Sequence, residues 1–400
     1  MKKKFVIFLM IMMFFVVDTT IAFVKKDDNL EIVKDNEMRI VYISYLEYLN
    51  NFCGNSKSIN ENKIKEMINN IKMLNFNTIM LHVSPFSDAI YNSKILPYSY
   101  TLTGVEGKNP GFDFLEYFLK IAHQYNIKVH AWINPYRIRM DSDTSKISVN
   151  NPAYKLLDTS NILVNKQGIY YNPASSIVKD LIISIVKEIV ENYDVDGIHF
   201  DDYFYMQNDI DQKEYENYLN NGGSLSLKDF RLSNTNDLIR KVYNSIKEIN
   251  NEIIFSISPD GNINNNYLYH YADIKTWLSE DGYVDIIMPQ IYYGFLNQYK
   301  PFSKTLEEWQ ILIINKNIKL IPILAFYKTG NVDEQAGSGK MEWVNNDNII
   351  SNQVNEIKDK ELNGFGLFRY DFVFNSQVMN NVSNKELNNL KKNLNREFTN

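Results

Sequence analysis

Cysteine is almost missing from these 400 residues: Cys53 stands alone, which rules out an intrachain disulfide and a cysteine-rich metal site. Nothing near it would activate a thiol, so an inert buried side chain is expected. No run of lysine or arginine occurs in the globular part and the net charge is −6. Nucleic acid is therefore not expected as a partner, because phosphate binding needs a basic face. Proline and glycine number only 10 and 16 and nowhere cluster into a linker, there is no internal repeat, and no second domain is marked. Hydrophobic residues at 44% and charged residues at 22% lie in the ordinary globular range.

What is present begins with MKKK, an apolar run from Phe5 to Val17, and the small residues Thr20 and Ala22. That charge order reads as a secretory signal over residues 1–24. The alternative is an uncleaved membrane anchor reaching Val24, but Asp18 sits in its middle and a span needs about 20 apolar residues. Either way the remaining chain is exported. Without disulfides it fits a bacterial envelope, so an extracytoplasmic, secreted or envelope-associated monomer is expected, touching membrane only through that segment. Residues 25–37 read as a short linker, and 38–397 as one domain.

Along that domain, β-branched and aromatic runs alternate with segments of helical period. Eight strands are predicted, at 39–46, 78–83, 128–134, 197–201, 253–258, 285–291, 319–326 and 364–369. Helices are predicted at 61–74 after a Ser58…Glu61 capping box, then at 113–125, 175–192, 234–250, 269–278, 306–316 and 348–362. A last helix starts from a Ser383…Glu386 box. Eight βα units predict a single α/β domain, a (β/α)8 TIM barrel, with extended βα loops after strands three and four. The stretch QNDIDQKEYENYLNNGGSLSL in the latter reads as a solvated loop.

Strand parity then sorts the side chains at the barrel mouth. In GIHFD, Ile198 and Phe200 belong to the helix layer while His199 and Asp201 turn inward, with Asp202 just beyond. The same rule turns in His130, Trp132 and Asn134, then Ser256, Ser258 and Asp260, then Met288, Gln290 and Tyr292. Glu47 follows strand one, and His82, Ser84 and Asp88 follow from strand two. Hydrolysis of a glycosidic bond needs two carboxyl groups. Asp201 is the expected nucleophile, because a carboxylate inside an apolar strand is costly without a task. Asp260 on the neighbouring strand and the adjacent Asp202 compete as acid/base, each with a structural alternative as a turn former. Glu47 is a third carboxyl across the mouth. Expected substrate contacts are Asp88, Asn134, Arg137, His199, Tyr203, Gln290, Tyr292 and Glu47. His82, His130 and His199 come from three successive strands, but two of them lie deep for ligands of an open metal site. No metal and no cofactor is expected. A carbohydrate-binding barrel without catalysis is the alternative reading.

From about Met38 to Tyr370 the stretches YISYLEY, KVHAWINPYR, YYNPA, YDVDGIHFDDYFY, SISPDGNINNNY and DIIMPQIYYG, in this order, resemble the glycosyl hydrolase-like 10 family of exported bacterial barrels. The resemblance implies a TIM barrel that hydrolyses O-glycosyl bonds in cell-wall glycan, either peptidoglycan stripped of its peptides or a related amino-sugar polymer. A polysaccharide is thus the expected partner. The strand-four aspartate also resembles, in position, the nucleophile of the α-amylase and α-galactosidase group, a role that falls on Asp201. The chain departs from many relatives at Ser84, where they carry an arginine, and at Asp260, where they carry phenylalanine. The second departure lowers Asp260 towards Asp202 as acid/base.

Overall fold

The structure, a computed structural model, describes residues 37–206 and 210–395. The signal segment and nearly all of the predicted linker lie outside them. The strands are β1 (Met38–Ile43), β2 (Thr78–Ser84), β3 (Lys128–Ile133), β4 (Arg137–Arg139), β5 (Ile162–Asn165), β6 (Gly168–Tyr171), β7 (Gly197–Phe200), β8 (Ile254–Ile257), β9 (Ile286–Ile287), β10 (Lys319–Leu320), β11 (Ile323–Leu324) and β12 (Gly364–Leu367). Nine of them make one curled parallel sheet in the order β10-β9-β8-β7-β3-β2-β1-β12-β11, with helices between successive strands. The two ends of that order belong to one segment. Ile321 N and Ile323 N donate to Ile287 O and Pro289 O on one side (3.0 and 2.9 Å), while Pro322 O and Leu324 O accept from Gly366 N and Phe368 N on the other (both 3.0 Å). Pro322 carries no N–H and splits the segment into β10 and β11.

Each of the eight predicted strands has its counterpart, and the alternation holds. Ile40, Tyr42, Met80, Trp132, Ile286, Met288, Ile321 and Ile323 form one cluster within the curl. Val41, Ile79, Leu81, Val129, Ile198, Phe200 and Phe255, on the opposite parity, pack with the helices. Gly197 has a specific reason to be glycine: a Cβ there would lie 2.5 Å from His130 Nδ1, so only a bare Cα lets β3 and β7 pair with the histidine ring between them.

Several local expectations are corrected. The first strand stops at Ile43, and Tyr45–Asn51 is a helix, because Ser44 and Glu47 form a capping box. The helix expected from residue 61 begins at Lys57, capped by Ser56 rather than Ser58. At the last helix Asn380 caps instead of Ser383, its Oδ1 accepting from Val382 N and Ser383 N (both 2.9 Å), while Glu386 turns inward to accept from Ser351 N at 2.9 Å. The segment after β3 folds into a small antiparallel sheet, β4-β6-β5. The polar stretch after β7 contains a helix, Gln212–Asn220. The long helix expected from 234 spans Leu227–Ile249, and the one expected at 269–278 is two short ones, Ile263–Leu268 and Ile274–Ser279. Cys53 is half-buried rather than buried.

Candidate active site

The carboxyl ends of the strands open into a cavity of about 310 Å³, at the small end of the ~300–1,000 Å³ range of ligand sites. Tyr42, Tyr45, His82, Trp132, Arg137, Asp201, Asp202, Tyr203, Ser258, Gln290, Tyr292 and Phe368 are among its lining. Asp201 follows β7 directly and is almost wholly buried. Three N–H groups answer its carboxylate. Trp132 Nε1 and Asn134 Nδ2 donate to Oδ2 at 3.0 and 3.4 Å, and Tyr203 N donates to Oδ1 at 3.2 Å. Trp132 and Asn134 are positioned by β3, whose pairing with β7 sets Trp132 opposite His199.

Burial, and then the charge of Asp202, push Asp201 from its ordinary 3.8 up to about 7, against the lowering pull of Arg137, Tyr203 N and Trp132. Burial also raises Asp202, opposed by His270 and reinforced by Asp260. Two adjacent carboxyl groups in one poorly hydrated cavity thus hold on to a proton more tightly than either would in water. Asp260 behaves differently. Burial would raise it, yet hydrogen bonding from His270, Asn265 and Asn262 holds it below its ordinary value. Its Oδ1 accepts from Asn262 N at 2.7 Å and its Oδ2 from Asn265 Nδ2 at 2.9 Å, and it does not line the cavity. These are the contacts of a turn former.

The other expected contacts divide in the same way. Arg137, Tyr203, Gln290 and Tyr292 line the cavity. Gln290 Nε2 donates to Ser258 O at 2.9 Å. Asn134 reaches it only through Asp201, and its Oδ1 anchors Arg137 N at 3.2 Å. His199 lies beneath the floor, bonded to Tyr42 Oη (3.1 Å), Ser256 Oγ (2.8 Å) and Ser258 Oγ (3.0 Å), and burial holds it neutral. Asp88 is buried within the loop after β2, where Oδ1 accepts from Phe86 N at 3.1 Å; burial pushes it up to about 7. Glu47 is displaced from the mouth altogether. It is fully buried, takes Ser44 N and Oγ on Oε2 (2.8 and 2.6 Å), and pairs through Oε1 with Arg369. The Ser44-x-x-Glu47 spacing was the signal for that role.

Tyr42 and Phe368 at the cavity were not anticipated. Tyr42 was legible from the alternation Ile40–Tyr42–Ser44, the parity that faces inward. Phe368 follows from Gly366 once Phe365 and Leu367 are seen to face the helices. The three inward histidines do not converge. His82 stacks on Trp132 with ring centroids 3.6 Å apart, His199 bonds serines, and His130 packs under Gly197.

The glycosyl hydrolase-like 10 family model matches residues 37–344. The chain belongs to that family. Glycosyl hydrolase YngK of Bacillus subtilis is 32% identical over 333 residues, covering 78% of this chain and 64% of that protein. Glycosyl hydrolase DigH of Escherichia coli K12 is 32% identical over 345 residues, covering 80% and 77% respectively. The chain thus spans about two thirds to three quarters of these relatives. Among solved structures, the PgaB glycoside hydrolase domain from Bordetella bronchiseptica superposes with a TM-score of 0.60 at 13% identity, over 85% of this chain and 96% of that one. The catalytic domain of a β-amylase from Paenibacillus polymyxa gives 0.57 at 10% identity, over 91% and 99%. At these identities the likeness speaks for the fold, that of TIM-barrel glycoside hydrolases.

Proposed function

We propose that this family member is an exported glycoside hydrolase, built on a closed (β/α)8 barrel, that cleaves O-glycosyl bonds in bacterial cell-wall glycan such as peptide-free peptidoglycan strands. One observation carries the reading: Asp201 and Asp202 face a single cavity with raised proton affinity, and Asp201 alone is met by three N–H donors. Those donors hold the Asp201 carboxylate in place at the cavity, which assigns it the nucleophile's role, and the proton the pair shares is delivered by Asp202 once Asp201 has ionised. The Asp201 carboxylate then attacks or stabilises the anomeric carbon as positive charge develops, while Asp202 protonates the leaving oxygen and afterwards takes a proton from water. Asp260, held ionised outside the cavity, is a poor proton donor. Tyr45, Tyr203 and Tyr292 provide apolar faces for sugar rings.

Purified protein is expected to release reducing ends from peptide-free glycan strands, and Asp201→Asn to abolish that release. An undiminished rate in the variant removes the assignment. Glycan binding with no bond cleaved on any wall polymer would instead make the chain a carbohydrate-binding barrel.

A further inference from the structure

Arg137 is 7% exposed. Three other buried arginines are answered by acids, Arg139 by Asp141, Arg231 by Asp211 and Arg369 by Glu47, and Arg39 donates through Nε to Asn75 O. Among the described residues Arg137 makes no ion pair and no side-chain hydrogen bond, and its Nε is buried without an acceptor. The guanidinium is held instead by aromatic faces, its carbon lying 5.6, 4.8 and 4.6 Å from the ring centroids of Tyr45, Phe86 and Tyr203. Such contacts stabilise the cation through its π-face and leave the N–H edge unused. Asp201 lies near enough to feel the cation's charge, but no hydrogen bond joins the two, and its oxygens are met by Trp132, Asn134 and Tyr203 N. The backbone beneath is rigid: Arg137 begins β4, pairs with Tyr170, and its N–H is bonded to Asn134 Oδ1. On the same cavity His82 is fully buried with both ring nitrogens unpartnered.

A buried cation whose donors meet no acceptor is expensive unless a ligand supplies the anion. A neutral sugar offers single hydroxyls, whereas a carboxylate fills two parallel N–H groups at once. We infer that Arg137 is a specificity-determining residue that docks a carboxylate borne by the saccharide, so that this cavity takes an acidic glycan. His82 supplies a neighbouring hydrogen bond to a ring substituent. The inference rests on the cavity being a saccharide site. The carboxylate has two chemical sources, the lactyl ether of an amino sugar freed from its peptide, or a hexuronic acid.

The test is calorimetric binding to the Asp201→Asn protein, in which cleavage is suppressed. Two acidic tetrasaccharides are compared with their own amidated forms: an alternating N-acetylglucosamine–N-acetylmuramic acid oligomer, and a glucuronate-containing hyaluronan oligomer. We expect at least one acid to bind about tenfold to a hundredfold tighter than its amide, the range of a charge-assisted bond. The pair that shows the difference identifies the source. Adding Arg137→Gln should erase the acid–amide difference, and Arg137→Lys should keep part of it. Equal affinity for acid and amide in both pairs, or a preference that survives Arg137→Gln, overturns the inference. If wild-type protein cleaves acid and amide strands alike, the hydrolase reading stands and only this inference falls. If no saccharide is bound or cleaved, both fall.

Discussion

Replacing Asp201 by asparagine should make the protein less stable in acid and more stable in mild alkali, while removing activity throughout. The native carboxyl titrates near about 7 against an ordinary 3.8, chiefly because burial disfavours its charge. Between those two values the unfolded chain has released the proton and the native one has not, so the stability of the wild type falls as pH rises through this window. At 1.36 kcal/mol per unit the loss is about 4 kcal/mol once pH exceeds the native value, part of it shared with Asp202. Asparagine removes that loss but brings its own cost. It has one oxygen for three donors, so Trp132 and Asn134 keep their acceptor and Tyr203 N, now 3.2 Å from an oxygen, faces an NH2 group. A buried unanswered N–H costs about 1–3 kcal/mol at every pH. The variant should therefore be about 1–3 kcal/mol less stable than wild type at pH 4 and about 1–3 kcal/mol more stable at pH 8. Urea unfolding at several pH values between 4 and 8, with reducing-end release followed in parallel, measures both. The slope of the stability difference against pH decides the matter, because the lost bond contributes only an offset. A difference that stays flat across that range would show that Asp201 is not held in a charge-disfavouring site, and the proposed shared proton would go with it.

Other expectations follow from the same geometry. Activity should rise with pH as Asp201 ionises near 7, and Trp132→Phe, which deletes a donor to Oδ2, should move that limb of the kcat/KM profile upward by about one to two pH units. Asp260→Asn should leave kcat near wild type and cost about 1 kcal/mol in urea unfolding through the turn contacts to Asn262 and Asn265; a collapse of kcat would return Asp260 to the mechanism. Glu47→Gln leaves Arg369 with only the more distant Asp371 carboxylate, at 3.6 Å, and should cost about 3 kcal/mol, a loss under about 1 kcal/mol refuting the pairing. Gly197→Ala puts a methyl 2.5 Å from His130 and should destabilise by about 2 kcal/mol, a cost that His130→Ala in the same chain relieves.

By itself the sequence determined the alternation of strands and helices, the face each strand presents, and the delivery of Asp201 and Asp202 from the fourth strand. Period and parity are local properties, written in apolar spacing, and Ile198 and Phe200 could only point one way once the core lay outside the strands. The same locality misled where two readings share one pattern. Glu47 reads equally as a residue past a strand and as the third position of a helix. Asp260-Gly261 reads equally as a strand tip and as a turn. Tertiary structure decided these cases, because a carboxyl group's role depends on the donors and charges around it. Those arrive from distant segments: Arg369 meets Glu47 from more than 300 residues away, and Trp132 and Asn134 meet Asp201 across the β3–β7 pairing. The unanswered guanidinium of Arg137 belongs to the same class of fact. No spacing within NPYR shows that three aromatic rings will hold it and that no acid will bond to it, since Tyr45, Phe86 and Tyr203 come from three separate segments of the chain.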